Sequence, residues 1–562
     1  MTDSDRARQR WERLVHKYRT VDGQDLVKLC DAGLQWLRAN QELVNSLNVF
    51  PVPDGDTGTN MVLTMKSAAQ EVEGSGEKSV GKIAHAIAHG ALMGARGNSG
   101  VILSQLWRGV ARALEGESVL DVDNLVTALG EARDTAYKGV VRPVEGTILT
   151  VSKAVASGAQ QARENGATSV LEVLEVLVAK ADESVEGTPD LLPVLKEAGV
   201  VDAGGKGLFF LLEGMLRLAK RQPLDEAEPA MQPLSAISLS AESELIEPGQ
   251  DWEVVVDFKT QRDLDIDQLY EDLEALGTSV QLGQGDGMHR MHIHTRDQEQ
   301  YKPIEYCRSL GTVTRVAIEN LMVEGGEHLS DAEESFPFPA RIEPDQIAAV
   351  VVAPGAGIAR VFASLGAAAI VRGGQTMNPS TEEILSALEN LPSDKIVILP
   401  NNKNILLAAR QSAEMTVKQV RIVPSVSVPQ GVAAMFALDP DGDIEQVFRA
   451  MESAITEPQS GALTTATRSA EIDGVRVKQG QVIGMLDGQL VTAGDSLEPT
   501  LIELLRMADT EAAELVTLYY GADLTPAQSN QMADRVRELW PNLEVEVVEG
   551  GQPHYSFLVA IE

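Results

Sequence analysis

Residues 48–61 read Asn48-Val-Phe-Pro-Val-Pro-Asp-Gly-Asp-Thr-Gly-Thr-Asn-Met61. An apolar run with two prolines ends in Asp54 and Asp56, one residue apart and ringed by Gly, Thr and Asn. Two carboxylates at i and i+2 around a glycine converge on a hard cation if the turn folds them inward. Mg²⁺ takes one or two carboxylates and completes its octahedron with phosphate oxygens and waters. Thr57, Thr59 and Asn60 add hydrogen-bonding groups for phosphate, while Gly55 and Gly58 let the backbone come close. The competing reading is an Asx-rich turn capping a helix that starts near Asn60. Taken alone, the stretch supports both.

Three more polar glycine turns lie in the same region. Gly94-Ala-Arg-Gly-Asn-Ser-Gly100 joins two helical segments and puts Ser99 and Gly100 at a helix N-terminus, where N–H groups and the helix dipole favour an anion. Pro143-Val-Glu-Gly-Thr-Ile-Leu149 and Asp202-Ala-Gly-Gly-Lys-Gly207 follow. Four such turns exceed what chain reversal requires. No P-loop accounts for them: GGKG lacks the following Ser/Thr, and Val200 stands where the first glycine belongs. PGAGIAR (354–360) is only a fragment of a dinucleotide fingerprint and reads as a strand-end turn.

The wider chain is multidomain. Residues 1–222 carry apolar residues at helical spacing and read as all-α. A linker over 223–239 leads to a small α/β domain at 240–325, and a second linker over 326–344 precedes an α/β domain at 345–562 whose strands and helices alternate as in a parallel sheet. VRGGQT (371–376) and VEGGQP (548–553) hint at two related lobes there. With 562 residues and 44% hydrophobic content the chain can bury cores, which excludes a disordered protein. A formal net charge of −36 disfavours nucleic acid or an anionic membrane surface as partner. No apolar run reaches membrane-span length, and no stable membrane insertion is expected. The charged N-terminus lacks a signal-peptide core, and Cys30 and Cys307 form no CxxC, so a cytoplasmic protein is expected.

The opening stretch, GARGNSG, PVEGTIL and DAGGKG, in that order, resemble the nucleotide-binding subunit of dihydroxyacetone kinases. With HIHT, GGQTMNPST, LPNNKN and GGQP added, the chain resembles the bacterial fatty acid kinase catalytic subunit nearly end to end. The resemblance implies an antiparallel helical barrel whose loops at one end hold ATP through two Mg²⁺ ions. Asp54 and Asp56 are then metal ligands. The related kinases carry a third aspartate a few residues earlier; here the nearest polar residue is Asn48, a third candidate ligand. Thr57, Gly58, Asn60, Gly97, Asn98, Ser99 and Gly100 would hold the nucleotide and its phosphates, and Thr147, Asp202 and Gly204 would frame it. The implied reaction moves a phosphoryl group from ATP to the carboxylate of a fatty acid presented by a DegV-type fatty-acid-binding protein. Such an acceptor, with a pKa near ~4–5, is ionised at neutral pH and needs no general base. Positioning and charge neutralisation then dominate, with Arg96 either helping or pairing with the acidic surface. Alternatives are a kinase for a small hydroxylated substrate such as dihydroxyacetone and a nucleotide-binding regulatory scaffold.

His292 and His294 share a strand face and are candidates for metal binding or catalytic contacts, against a paired surface or interface set. Many relatives place a cysteine on the first strand of this domain, where Val255 stands here, which weakens the metal reading. His85 and His89 fit an ordinary helix face, and Trp36 and Trp107 fit helix packing. GGQTMNPST and LPNNKN follow buried strands and carry amides and hydroxyls, suited to recognition, and the resemblance gives this domain to partner docking. A homodimer is expected, with the middle domain as its candidate contact.

Overall fold

The computed structural model describes residues 13–47, 55–224, 232–233, 252–260, 266–285, 288–296, 299–320, 340–375, 377–472, 474–508, 510 and 513–562. Two compact units emerge: Met1–Leu224 together with Ser335–Glu562, and Asp225–Glu334.

In the first unit, eight long helices among the described residues form a closed up-and-down barrel: α1 (Gly23–Ala39), α2 (Thr57–Val72), α3 (Val80–Met93), α4 (Gly97–Ala113), α5 (Val122–Gly139), α6 (Ile148–Glu164), α7 (Val170–Glu186) and α8 (Ala203–Lys220). From α2 onward each packs on its successor, and α8 returns to α1, closing the ring. The closing pair is tight because Gly33 faces the carbonyl of Leu211, where a Cβ would come within 2.8 Å. Trp36 seals the same seam, donating from Nε1 to Glu213 with the Arg217 guanidinium 3.6 Å above its ring. Leu103, Trp107, Leu174, Leu208 and Leu212 line the apolar interior.

The starts of α1, α3, α5 and α7 meet at one end. Val21 bridges to Leu120, the Gly23 N–H donates to Lys78, and the Val170 N–H donates to Tyr18. Side chains close three of these four starts: Asp22, Asp121 and Ser169 each accept a first-turn N–H, Ser169 within a full capping box with Glu172. The starts of α2, α4, α6 and α8 therefore share the opposite end.

The C-terminal α/β region carries a parallel four-stranded sheet in the order Ala369–Arg372, Ile347–Ala353, Lys395–Leu399, Gln419–Ile422. Its central strand is buried along its whole length, as expected of a sheet covered on both faces. A six-stranded mixed sheet follows, ordered Gln489–Gly494, Val482–Leu486, Gln459–Thr465, Tyr555–Ile561, Leu515–Tyr520, Glu544–Glu549. The two strand-end turns VRGG and VEGG both pack against the turn at 354–357: Gly374 lies on Pro354, and the Ile358 N–H donates to Gly550.

The second unit is a five-stranded sheet ordered Gln232–Pro233, Thr278–Gly285, Met288–Thr295, Trp252–Lys259, Thr312–Asn320, with helices Ile266–Glu274 and Tyr301–Leu310. Val254, Val256, Phe258, Met291, Ile293 and Cys307 form its core. Period-two alternation sends His292, His294 and Arg290 to the opposite face. The expected linkers fall largely outside the described residues.

Candidate functional site

The end of the barrel where α2, α4, α6 and α8 begin gathers the sequence-predicted residues. A Cβ on Gly204, at the start of α8, would lie 3.3 Å from both the Ser99 hydroxyl of α4 and Cβ of Ile148 in α6. A Cβ on Gly97 would lie 2.6 Å from Nδ2 of Asn60 in α2, and one on Gly100 would lie 2.4 Å from the Thr64 hydroxyl. Gly97 also sits at φ +57°, so glycine is required there twice over. Four helix starts thus converge, each contributing partial positive charge.

Local chemistry separates the turns. Asp202 caps α8 by accepting the Gly205 N–H at 2.6 Å, and its carboxylate also accepts from the Ile148 backbone N–H, tying α8 to α6. Burial pushes its pKa up to about 6, against the opposing pull of those two bonds. Thr147 caps α6 through the Leu149 N–H. Asp56 occupies the N-cap of α2 yet makes no side-chain capping bond. Asn45 does the capping instead. Its Oδ1 accepts the Gly58 N–H at 2.8 Å and the Thr59 N–H at 3.2 Å, while its Nδ2 donates to the Thr59 hydroxyl. The carboxylate of Asp56 is therefore not consumed by capping. Arg96 at the N-cap of α4 likewise makes no capping bond, leaving the first-turn N–H groups of that helix to other partners. Asn48 and Asp54 lie outside the described residues.

The strand-end loops of the α/β region meet this same end. Asn378 Nδ2 donates to Asp56 Oδ2 at 2.5 Å, and the Asn378 carbonyl accepts from Arg96 Nη1 at 2.9 Å. Arg96 also pairs with Glu383 at 3.3 Å. Asn98 Nδ2 donates to Asn404, whose backbone N–H is held by Asn402, which in turn donates to Gln375. Ala95 and Val101 join Ile384, Leu388, Ile405 and Ala408 in one apolar cluster, and Gln105 bonds Gln411 at 2.6 Å. Asn401 serves the structure of its own loop, since at φ +55° it donates to the Val352 carbonyl and accepts from Ser425. Sequence reasoning named neither Asn45 nor Asn378. Asn45 belongs to an amphipathic run with no turn signal, and Asn378 acts 322 residues from its partner.

In the other unit, His292 and His294 are 6% and 1% exposed, with ring centroids 5.1 Å apart. They are buried, unlike the surface set considered above. Burial, with the neighbouring His294 as a smaller cause, lowers the His292 pKa to about 4, and burial lowers that of His294 too. Val255 pairs directly across from His292, and its apolar side chain offers that pair no ligand. No group of three His, Cys, Asp or Glu side chains suited to a metal occurs among the described residues. His89 in the barrel faces Glu71 at 3.4 Å. None of the helices among the described residues is long and apolar enough to cross a membrane.

The chain matches the DAK2 domain model over residues 51–217, the FakA-like (fatty acid kinase) middle-domain model over 247–328, and the FakA-like C-terminal model over 348–562. Uncharacterized proteins from two Staphylococcus aureus strains, USA300 and NCTC 8325, are each 37% identical over 549 residues, covering 96% of this chain and 99% of theirs. Among solved structures, a DegV family protein from Corynebacterium glutamicum matches 39% of this chain and 96% of its own at 17% identity and TM-score 0.31. A fatty-acid-binding DegV family protein from Thermus thermophilus matches 39% of this chain and 99% of its own at 14% identity and TM-score 0.30. With relatives aligned over almost their whole length and all three models matching in succession, the chain belongs to the FakA-like family of fatty acid kinase proteins.

Proposed function

We propose that this protein is an ATP-dependent kinase that phosphorylates the carboxylate of a fatty acid carried by a DegV-type fatty-acid-binding protein, giving an acyl phosphate for phospholipid synthesis. The observation that carries the reading is the Asp56 carboxylate, released from capping by Asn45 and set among four helix starts. That donor set fits a hard cation with a polyphosphate: carboxylate oxygen beside a helix start whose N-cap side chain makes no capping bond to the first-turn N–H groups. Asp54 and Asp56 would hold Mg²⁺, which when bound neutralises phosphate charge. The start of α4, with Gly97, Asn98, Ser99 and Gly100, cradles phosphates through backbone N–H groups. Thr57, Gly58 and Asn60 border the same space, and Thr147, Asp202 and Gly204 fix the starts of α6 and α8 around it. These residues are small or polar and suit a nucleotide better than an acyl chain, in keeping with a lipid presented by another protein. An ionised carboxylate attacks without a base, so orientation and charge neutralisation carry the catalysis.

The test is incubation of the full chain with labelled ATP and a fatty acid, with and without a DegV-type protein. Partner-dependent acyl phosphate supports the proposal. A phosphorylated ketose or triol in its place would make the enzyme a small-molecule kinase, and no product at all would leave a nucleotide-binding scaffold.

A further inference from the structure

Asn378 belongs to the C-terminal α/β region by sequence and to the barrel end by contact. It is 2% exposed. Its Nδ2 donates to Asp56 Oδ2 at 2.5 Å, its backbone carbonyl accepts from Arg96, and its Nδ2 lies 3.5 Å from where a Cβ on Gly97 would stand. Its Oδ1 is buried with no hydrogen-bond partner. Because a carboxylate only accepts, the amide nitrogen must be the atom facing Asp56. An orphaned buried amide oxygen costs about 1–3 kcal/mol and calls for an explanation.

We propose that Asn378 is a positioning residue of the phosphoryl-transfer centre, holding the Asp56 carboxylate in place and offering Oδ1 toward the cation or its water shell. The kinase centre is then built by both parts of the first compact unit, and the barrel alone lacks one of its members. This rests on the reading of Asp56 as a cation ligand. A hydrogen bond to a ligating carboxylate fixes its orientation and raises its affinity for the metal, and removing such a support costs roughly 10–100-fold in metal affinity.

The contact between Gln105 and Gln411 supplies a control, since it joins the same two regions through side chains and touches none of the proposed centre. Mn²⁺ binding would be titrated by electron paramagnetic resonance with a non-hydrolysable ATP analogue at saturation, for the full-length protein, Asp56→Asn, Asn378→Ala and Gln411→Ala. Melting temperatures would show that each variant is folded. The expected result is Mn²⁺ affinity roughly tenfold or more weaker in Asn378→Ala and changed less than about twofold in Gln411→Ala. Unchanged affinity in Asn378→Ala, or equal weakening in both, would overturn the inference, the second because any interdomain bond would then serve. Mn²⁺ affinity that Asp56→Asn leaves intact would instead sink the cation reading of Asp56 itself.

Discussion

Asp56 and Asp202 hold the same position, the N-cap of a barrel helix at the same end of the barrel, and their carboxylates have different roles. Asp202 commits its oxygens to two backbone N–H groups and becomes part of the scaffold joining α6 to α8. Asp56 is relieved of capping by Asn45 and meets Asn378. Residue type and position are alike in the two places, but the backbone is not: Asp202 is extended at ψ 121°, the usual N-cap conformation, whereas Asp56 sits at φ −115°, ψ 10°. The difference in role goes with that backbone difference and with a neighbour, Asn45, that satisfies the orphan N–H groups at α2.

The largest effect should come from removing the charge at Asp56. Asp56→Asn is expected to lower ATP turnover roughly a thousandfold, about 4 kcal/mol of barrier, while the melting temperature moves by no more than about 2 °C. Turnover at the wild-type level would leave Asp56, like Asp202, with a structural role only and dissolve the contrast. A loss explained by unfolding would do the same.

Much of this arrangement was legible in the sequence. Apolar spacing pointed to the helical region, strand–helix alternation to the parallel sheet, and glycine turns marked the helix starts that converge. Those signals are local, set by backbone sterics and burial over a few residues. Asn378 could not be found that way, because no property of GGQTMNPST encodes the helix start it touches. The loop's amides were assigned to recognition, and within this chain Asn378 recognises Asp56. Asn45 was missed for a related reason, since its capping bonds reach forward 13 and 14 residues to a helix that is not its own. The histidines show the limit from another side: alternation placed them on one face and gave no sign that the face is buried.

Asp202 can be read through pH. Its folded-state pKa, near 6, is raised from 3.8, so the folded chain keeps a proton in a window where the unfolded chain has lost it. Stability present below pH 3.8 therefore drains away as pH climbs to about 6, by up to about 3 kcal/mol. Asp202→Asn should flatten that descent in urea-denaturation midpoints measured across the range. His292 should give an effect of similar size and opposite slope. Its imidazole stays neutral in the folded state down to about pH 4, whereas the unfolded chain takes up a proton below 6.5. Stability is lost as pH falls through that window, and His292→Gln should remove the loss. Slopes of the same sign at both residues would mean that burial does not govern them.

The smallest effect bears most directly on the contrast. If Asn45 keeps Asp56 out of the cap, Asn45→Ala leaves the N–H groups of Gly58 and Thr59 unmet with a second carboxamide-sized acceptor, the Asp56 carboxylate, next door. Losing an N-cap costs about 1 kcal/mol. Asp56 can recover part of that by turning back onto the helix, so the fall in stability should stay below about 1 kcal/mol. The recovery diverts the carboxylate from the centre, and Mn²⁺ affinity should weaken even though Asn45 itself bonds only the start of α2 and its neighbours. A full capping loss with unchanged Mn²⁺ affinity would mean that Asp56 is held by Asn378 whether or not the cap is filled. The decisive neighbour would then be the amide 322 residues away, not the one 11 residues before it in the chain.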